Sequence, residues 1–331
     1  MSDPVQFYLT SVLIVFAVNV LACWALDLQV GTTGVLNFGF ILFQAAGAYT
    51  VGVLTMGPPT IASQQHYVGG AHLPFFLALA VATLVGGALA LPLGWVALRK
   101  LRADYQAIVL LVISIIAADV ALSAPNLVNG AIGLFPVPSP FAGAFGLSQT
   151  GYQWFYLGLC VCVCAVVYFV LRRILRAPLG RALRATRDCD TAASSLGKHV
   201  NGLRMMVFII GGGIAALSGG LFVGYLGAWA PSGWTYPETF VYITAIIVGG
   251  RGNMLGAVIG AFLVPGFSEI SQFLPFLGNP AIAADAQWVF VGVLLLIFLW
   301  FWPRGIVPER LRRISLTAGA NESKGLLHAK E

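Results

Sequence analysis

Long apolar runs alternate with short polar loops along almost the whole of this chain. A helix needs about 20 apolar residues to cross the hydrocarbon core of a bilayer, and most of the runs approach that length. The pattern predicts an all-α integral membrane protein, a multispanning helical bundle of about nine transmembrane helices, with eight to ten as the accepted range. The predicted spans are Leu9–Leu26, Val35–Met56, Leu73–Leu98, Gln106–Leu122, Tyr152–Leu171, Met205–Ala228, Tyr236–Val248, Met254–Phe273 and Ala286–Trp302.

The Lys and Arg residues are confined to four patches. If the chain crosses the membrane back and forth through the predicted spans, all four patches lie on the same side. The patches are Arg99–Arg102, Arg172–Arg204, Arg251 and the residues from Arg304 onward, and together they hold all 18 Lys and Arg. Cytoplasmic loops retain positive charge and translocated loops lose it. We therefore predict an external N-terminus and a cytoplasmic C-terminus. Residues 1–306 form the predicted transmembrane domain, and residues 307–331 form a polar cytoplasmic tail that is predicted to be disordered.

Composition agrees with this class and limits the partners. Hydrophobic residues make up 59% of the chain and charged residues 9%, whereas soluble domains carry about 25% charged residues. The net charge of +6 comes from residues that flank the spans. This placement favours contact with membrane lipid and argues against nucleic-acid binding.

The sequence offers no set of residues suited to catalysis, metal binding or cofactor binding. Its four His are scattered, and its five Cys do not follow a metal-ligand spacing. The dipeptide Gly197-Lys198 is followed by His199, so it does not complete the G-x-x-x-x-G-K-[ST] phosphate-binding loop. We expect no catalytic residue, no metal and no cofactor, and neither ATP binding nor ATP hydrolysis by this chain alone.

Small residues recur at four-residue intervals in two of the predicted spans. Such spacing places them on one face of a helix, where they allow two helix backbones to approach closely. We expect these residues to serve helix packing rather than a binding site. The glycines concerned are Gly212, Gly220, Gly252, Gly256 and Gly260.

The segment Ala177–Val200 is too polar to span the membrane and lies between two predicted spans on the basic side. Its arginines recur every three residues from Arg181 to Arg187, and the pattern predicts one helix that begins after Pro178 and ends at Gly197. Two interpretations are open. The helix either lies on anionic lipid headgroups or docks a soluble partner through its Arg and Asp side chains.

Six stretches, in the same order, resemble segments of LivM-type permeases, the membrane subunits of ABC importers for branched-chain amino acids and related small solutes. The resemblance covers about residues 20–306. The chain departs from the family at Asn37, where Ser is usual, and at Cys189, where an acidic residue is common. The stretches are GRALRATRDCDTAASSLGKHV (180–200), GVLNFGFILFQAAGAY (34–49), LRADYQAI (101–108), NGAIGL (129–134), PSGWTYPETF followed by GGRGNMLGAVIG (231–240 and 249–260) and WPRGI (302–306).

This resemblance implies a permease domain of the bacterial inner membrane that is inactive without its partners. The expected partners are two cytoplasmic ABC ATPase subunits, a LivH-type second permease subunit and a periplasmic solute-binding protein. The expected cargo is a branched-chain or related small amino acid, with urea, short amides and aromatic acids as alternatives. An ATP-independent secondary transporter or facilitator is the second hypothesis, and the missing catalytic set argues against an integral-membrane enzyme.

By the same resemblance, Ala177–Val200 is the coupling segment, which transmits closure of the ATPases to the spans. The expected coupling residues are Gly180, Arg181, Arg184, Arg187, Asp188, Asp190, Ala193 and Gly197.

Polar residues at membrane depth need a partner or a water-lined cavity. Asn37, Gln44 and Tyr49 lie in the early family-like stretch, and we predict that they line or shape the solute path. Hydrogen bonding between helices, at about 0.6–2 kcal/mol per bond, is the alternative explanation.

Overall fold

A computed structural model describes residues 3–59, 65–141, 148–267 and 280–309. The end of the predicted span Met254–Phe273 and the part of the predicted tail beyond residue 309 lie outside the described residues. The helices are α1 Asp3–Thr33, α2 Phe40–Thr55, α3 Phe75–Lys100, α4 Ala103–Ser123, α5 Pro125–Val128, α6 Gln149–Arg176, α7 Pro178–Asp188, α8 Asp190–Ser195, α9 Val200–Leu226, α10 Tyr236–Gly249, α11 Met254–Leu263 and α12 Pro280–Phe301.

Five of these helices are long and apolar enough to cross a membrane, namely α1, α3, α4, α6 and α9. Shorter apolar helices cover Phe40–Thr55, Met254–Phe267 and Trp288–Phe301. The prediction of an all-α multispanning protein is therefore confirmed for the described residues. The count of nine spans and the orientation of the termini stay predictions.

Helices α1 and α9 form the centre of the bundle. In each of them 72% of the most apolar window is buried within the protein, against 22% in α4 and 28% in α6. Helices α2 and α3 pack on α9, whereas α6, α10 and α11 pack on α1, and α12 packs on α10. The outer helices keep large apolar side chains exposed, and these side chains form the surface that lipid covers.

The central position of α1 explains how a membrane helix carries several polar side chains. Thr10, Asn19 and Gln29 are all buried, so they face protein rather than lipid. Asn19 Oδ1 accepts a hydrogen bond from the hydroxyl of Tyr242 at 3.1 Å, and the hydroxyl of Thr10 donates to Gln153 Oε1 at 2.6 Å. These pairings join α1 to α10 and to α6, because a polar group at membrane depth requires a partner.

Close backbone contact joins α2, α3 and α9. A Cβ added to Gly47 would overlap the Ala216 carbonyl of α9, and one added to Gly219 would overlap the Gln44 carbonyl of α2. Gly212 faces α3, with a Cβ position 3.0 Å from the Gly86 oxygen. A Cβ added to Gly220 would lie 2.8 Å from the side chain of Val51 in α2 and 2.8 Å from that of Leu79 in α3. The small residues of α9 thus lie where neighbouring helices approach it.

A second close contact joins α10 and α11. A Cβ on Gly260 would overlap the Ala245 carbonyl, and one on Gly256 would lie 2.6 Å from the Gly249 oxygen. Gly252 differs from its predicted place on a helical seam, because it precedes α11 and adopts φ +77° in the turn after α10. Its neighbours there are Arg187 and Glu309, so the four-residue spacing does not reflect one continuous helix at this point.

We expect Gly47→Ala to destabilise the protein by about 1–3 kcal/mol, because the added methyl group has no space against α9. Gly158→Ala is the matched control, since nothing lies within 4 Å of a Cβ at that position of α6. An alanine there stabilises a helix by about 0.5–1 kcal/mol. Thermal unfolding of the two purified variants in detergent should show opposite shifts. Equal midpoints would contradict the proposed packing of α2 on α9.

Candidate functional site

The coupling segment (Ala177–Val200) folds as two helices rather than one. The predicted single helix is wrong at Cys189, which is extended with φ −159° and ψ 108° between α7 and α8. The Cys189 amide closes α7 on the Ala185 carbonyl at 3.1 Å, and its carbonyl accepts from the Ala193 amide at 3.1 Å and begins α8. One residue therefore ends one helix and starts the next. The predicted end at Gly197 agrees with the structure, where Gly197 follows α8 with φ +75°.

Helix α7 lies across the basic end of the bundle, against α1 and α6. Leu183 and Thr186 are fully buried on its inner face. Gly180 is buried as well, and a Cβ there would overlap the Leu175 carbonyl at the end of α6. The helix is therefore packed tightly on the bundle and does not lie loosely on its surface.

Arg184 is bound within the protein by its whole guanidinium group. Its Nε donates to the Gly180 carbonyl at 3.1 Å, and one terminal nitrogen donates to the Leu175 carbonyl at 3.0 Å. The other terminal nitrogen donates to Glu309 Oε1 at 3.2 Å. Arg184 therefore fixes the corner between α6 and α7.

Arg187, one turn further along α7, is also directed inward. One terminal nitrogen donates to the Gly31 carbonyl of α1 at 2.6 Å and lies 2.9 Å from Glu309 Oε2. Its Nε pairs with Asp188 at 3.2 Å. Partial burial lowers the pKa of Arg187, but the hydrogen bond and charge of Glu309 outweigh that effect and raise its pKa overall. The guanidinium therefore remains charged while it holds α1.

The predicted coupling residues divide into two groups. Gly180, Arg184, Arg187 and Ala193 are engaged within the bundle, with Ala193 only 2% exposed. Arg181, Asp188, Asp190 and Gly197 lie on the exposed side of the segment. Asp190 pairs there with Arg204 of α9 at 2.7 Å.

Two residues at this site are not among the predicted coupling residues. Leu196 is 79% exposed at the end of α8, and an apolar residue between two polar runs was the available signal for it. Glu309 lies just beyond the WPRGI stretch, and no local pattern points to its partners Arg187 and Arg184, the latter 125 positions earlier. The described part of the predicted tail is therefore packed on the bundle as far as residue 309.

The segment that carries Glu309 is bound to the end of α10. We define it as the C-terminal segment, Trp302–Glu309. The Ile306 amide donates to the Val248 carbonyl and the Val307 amide to the Gly249 carbonyl, both at 2.9 Å. The family-like stretch WPRGI thus meets the stretch GGRGNMLGAVIG in space, although about 50 residues separate them in the chain.

Of the three predicted path residues, Gln44 and Tyr49 lie on α2 and Asn37 lies in the loop between α1 and α2. Asn37 is fully buried, donates to Gln29 Oε1 at 2.8 Å and accepts from the Gly39 amide at 3.1 Å. The Tyr49 hydroxyl accepts from Trp234 Nε1 at 3.2 Å. Both contacts join a helix to a loop within the bundle, so each polar group already has a protein partner, as the alternative explanation requires. Gln44 is 3% exposed, and none of the described residues forms a hydrogen bond with its amide.

Comparison with known proteins identifies the group to which this architecture belongs. Residues 8–299 match the family model described as the branched-chain amino acid transport system / permease component. The chain belongs to this permease family. Its members are transport subunits rather than enzymes, and the family assignment inferred from the six stretches is confirmed.

The similarity to LivM proteins extends over most of the chain. The chain is 28% identical to the high-affinity branched-chain amino acid transport system permease protein LivM of Escherichia coli K12, over 89% of the chain and 69% of that protein. It is 25% identical to a probable LivM permease of Methanocaldococcus jannaschii, over 91% of the chain and 94% of that protein. The fructose import permease protein FrcC of Rhizobium meliloti is 27% identical over 48% of the chain and 42% of its own length. No solved structure matches the chain. The family and the apolar helices place the protein in the inner membrane, as predicted.

Cys189 provides a test of the predicted cytoplasmic side. It is exposed, and a hydrogen bond with Thr191 Oγ1, together with the Ala192 amide, lowers the pKa of its thiol. A larger thiolate fraction at neutral pH makes a cysteine more reactive. We expect a membrane-impermeant maleimide to label inside-out vesicles faster than right-side-out vesicles, and Cys189→Ser to remove that label. Preferential labelling of right-side-out vesicles would reverse the orientation.

Proposed function

We propose that the protein is a permease subunit of an ABC importer for branched-chain or related small amino acids and forms half of the translocation path. The observation that carries this proposal is the extent of similarity. The LivM proteins match about nine tenths of the chain, whereas the fructose and autoinducer 2 permeases match less than half of it. Urea, short amides and aromatic acids are the alternative cargoes.

The proposed assembly contains two cytoplasmic ABC ATPase subunits, a LivH-type second permease subunit and a periplasmic solute-binding protein. The coupling segment supports the ATPase contact, because it combines a firmly packed inner face with an exposed outer face. Arg181 and Asp188 supply opposite charges on that outer face, and Leu196 supplies an exposed apolar side chain. Such a combination suits a protein partner better than lipid headgroups, which attract positive charge alone.

Gln44 is the strongest of the three proposed path residues. The residue is 3% exposed, and its amide makes no hydrogen bond with the described residues. A polar group in this position requires a partner or a water-lined cavity, and a passing solute or its water supplies one. Asn37 and Tyr49 are proposed to shape the same region, because Asn37 binds Gln29 of α1 from the α1–α2 loop and Tyr49 of α2 binds Trp234.

Reconstitution tests the proposed function directly. Proteoliposomes that contain the chain, its second permease subunit and its ATPases should accumulate radiolabelled leucine, isoleucine or valine only with ATP and the binding protein. Uptake of urea, short amides or aromatic acids under these conditions would change the cargo and retain the ABC mechanism. Uptake by the chain alone without ATP would replace the proposal with a secondary transporter.

The exposed face of the coupling segment should contribute to ATPase docking. We expect Arg181→Glu combined with Leu196→Asp to weaken docking by about 1.4–2.8 kcal/mol, which corresponds to a roughly 10- to 100-fold loss of affinity. Co-purification of the ATPases and ATP-driven uptake should fall together. Arg176→Glu is the matched control, because it reverses an exposed charge outside the coupling segment. Normal docking of the double variant would favour the lipid-surface interpretation.

A further inference from the structure

Glu309 joins two turns of the coupling helix through one carboxylate. Its Oε1 lies 3.2 Å from Arg184 and its Oε2 lies 2.9 Å from Arg187. The Glu309 side chain is 14% exposed, and the Arg184 and Arg187 side chains are 35% and 22% exposed. Ion pairs with this degree of burial are less screened by solvent than surface pairs. We call these three residues the Glu309 triad.

The backbone that carries Glu309 is fixed independently of the triad. Residues 306 and 307 donate to the last carbonyls of α10, which have no partner within their own helix. Asn253 Nδ2 donates to the Val307 carbonyl at 3.3 Å and to the Pro308 carbonyl at 3.4 Å. The carboxylate is therefore held by the end of α10 and by the turn before α11, rather than by a free tail.

Two helix ends, those of α6 and α1, converge on the triad from the other side. Arg184 binds the last turn of α6 at Leu175, and Arg187 binds the last turns of α1 at Gly31. Asp27 of α1 accepts a hydrogen bond from the Gly252 amide at 2.8 Å. A Cβ on Gly252 would lie 3.1 Å from both Arg187 and Glu309. Through these contacts the coupling helix is connected to α1, α6, α10 and α11 at one point.

The charges make Glu309 necessary for this arrangement. Arg184 and Arg187 lie three residues apart on one helical face, where like charges repel. Asp188 also pairs with Arg187, but its side chain is 65% exposed. Asp27 faces the Gly252 amide. Glu309 is the carboxylate that contacts both arginines among the described residues.

We propose that Glu309 is a positioning residue of the transport cycle, which holds the coupling helix at a fixed distance from α10 and α11. This inference rests on the proposed function and goes beyond it. When the ATPases displace the coupling segment, the triad transfers that displacement to the C-terminal segment and to α10 and α1. Without the carboxylate, α7 retains its apolar contacts with the bundle but moves separately from the C-terminal segment.

The first measurement follows the position of α7 in the full chain without any partner. Spin labels are introduced at Ala185 and Ile306, both exposed, in a background with Cys162→Ser and Cys189→Ser. Pulsed electron paramagnetic resonance should give a narrow distance distribution in the parent and a broader one with Glu309→Gln. Asp104→Asn is the control, because it removes one exposed carboxylate from the basic end of α4. An unchanged distribution with Glu309→Gln would overturn the proposal.

The second measurement compares solute transported with ATP hydrolysed by the complete importer in proteoliposomes. We expect Glu309→Gln to keep binding-protein-stimulated ATP hydrolysis within about twofold and to lower the solute transported per ATP about tenfold. Glu309→Asp, which keeps the charge on a shorter side chain, should give an intermediate ratio, and Asp104→Asn the parental one. If hydrolysis and transport fall equally, so that the ratio is unchanged, Glu309 has a structural role only and the proposal is wrong.

The two measurements separate this inference from the proposed function. A parental complex that shows neither stimulated hydrolysis nor uptake would reject the proposed function, and the distance distribution would still decide whether Glu309 positions α7. If the parental complex couples normally and the Glu309→Gln variant transports the same amount of solute per ATP, the inference alone would be rejected.

Discussion

Lipid supplies no hydrogen-bond partners and little drive for helices to associate, so the contacts that hold this bundle together come from the protein itself. Helix α1 shows how the polar groups meet that requirement. Its buried Asn19 and Gln29 have partners on α10, on α9 and in the α1–α2 loop. The close approach of α2, α3 and α9 at glycine supplies dispersion contacts that lipid does not replace.

The same requirement governs the basic end of the bundle, although water is nearer there. Helices end at this level, and their last carbonyls have no partner within the helix. Arg184 and Arg187 donate to such carbonyls at Leu175 and Gly31, and the C-terminal segment does so for α10. Half-buried cations cost free energy unless they are paired, and Glu309 supplies the counter-charge. Hydrogen bonding and charge pairing therefore lead to one compact junction.

The class of the fold and the location of the site were predictable because both depend on local patterns. Apolar runs predict spans, and the three-residue repeat from Arg181 to Arg187 predicts a helix on the basic side. The division of that helix into an inner and an outer face was not predictable. Arg181 and Arg184 look equivalent in sequence, but Arg184 is internal because it binds the end of α6 and Glu309, which lies 125 residues further along the chain.

Two further differences between the predictions and the structure also arise from tertiary contacts. The break at Cys189 depends on α8 turning toward α9, where Asp190 pairs with Arg204. Gly252 shares the spacing of Gly256 and Gly260, but its positive φ serves a turn that meets Asp27 and Arg187. Periodicity reports which residues share a helix face only while the helix continues. A sequence pattern cannot show where tertiary contacts end it.

The separation of α7 and α8 into an inner face that packs on the bundle and an exposed outer face affects how force passes through a permease of this family. A partner that binds Arg181, Asp188 and Leu196 contacts the outer face alone, and it can move the spans only if the inner face is firmly attached to them. Apolar packing at Leu183 holds α7 against its neighbours but permits sliding, since dispersion is not directional. The arginines and Glu309 supply directional contacts at a defined distance. If coupling runs through α7 as proposed, its charged inner stripe would transfer motion of the helix to α1 and α10 rather than let it be lost at the interface.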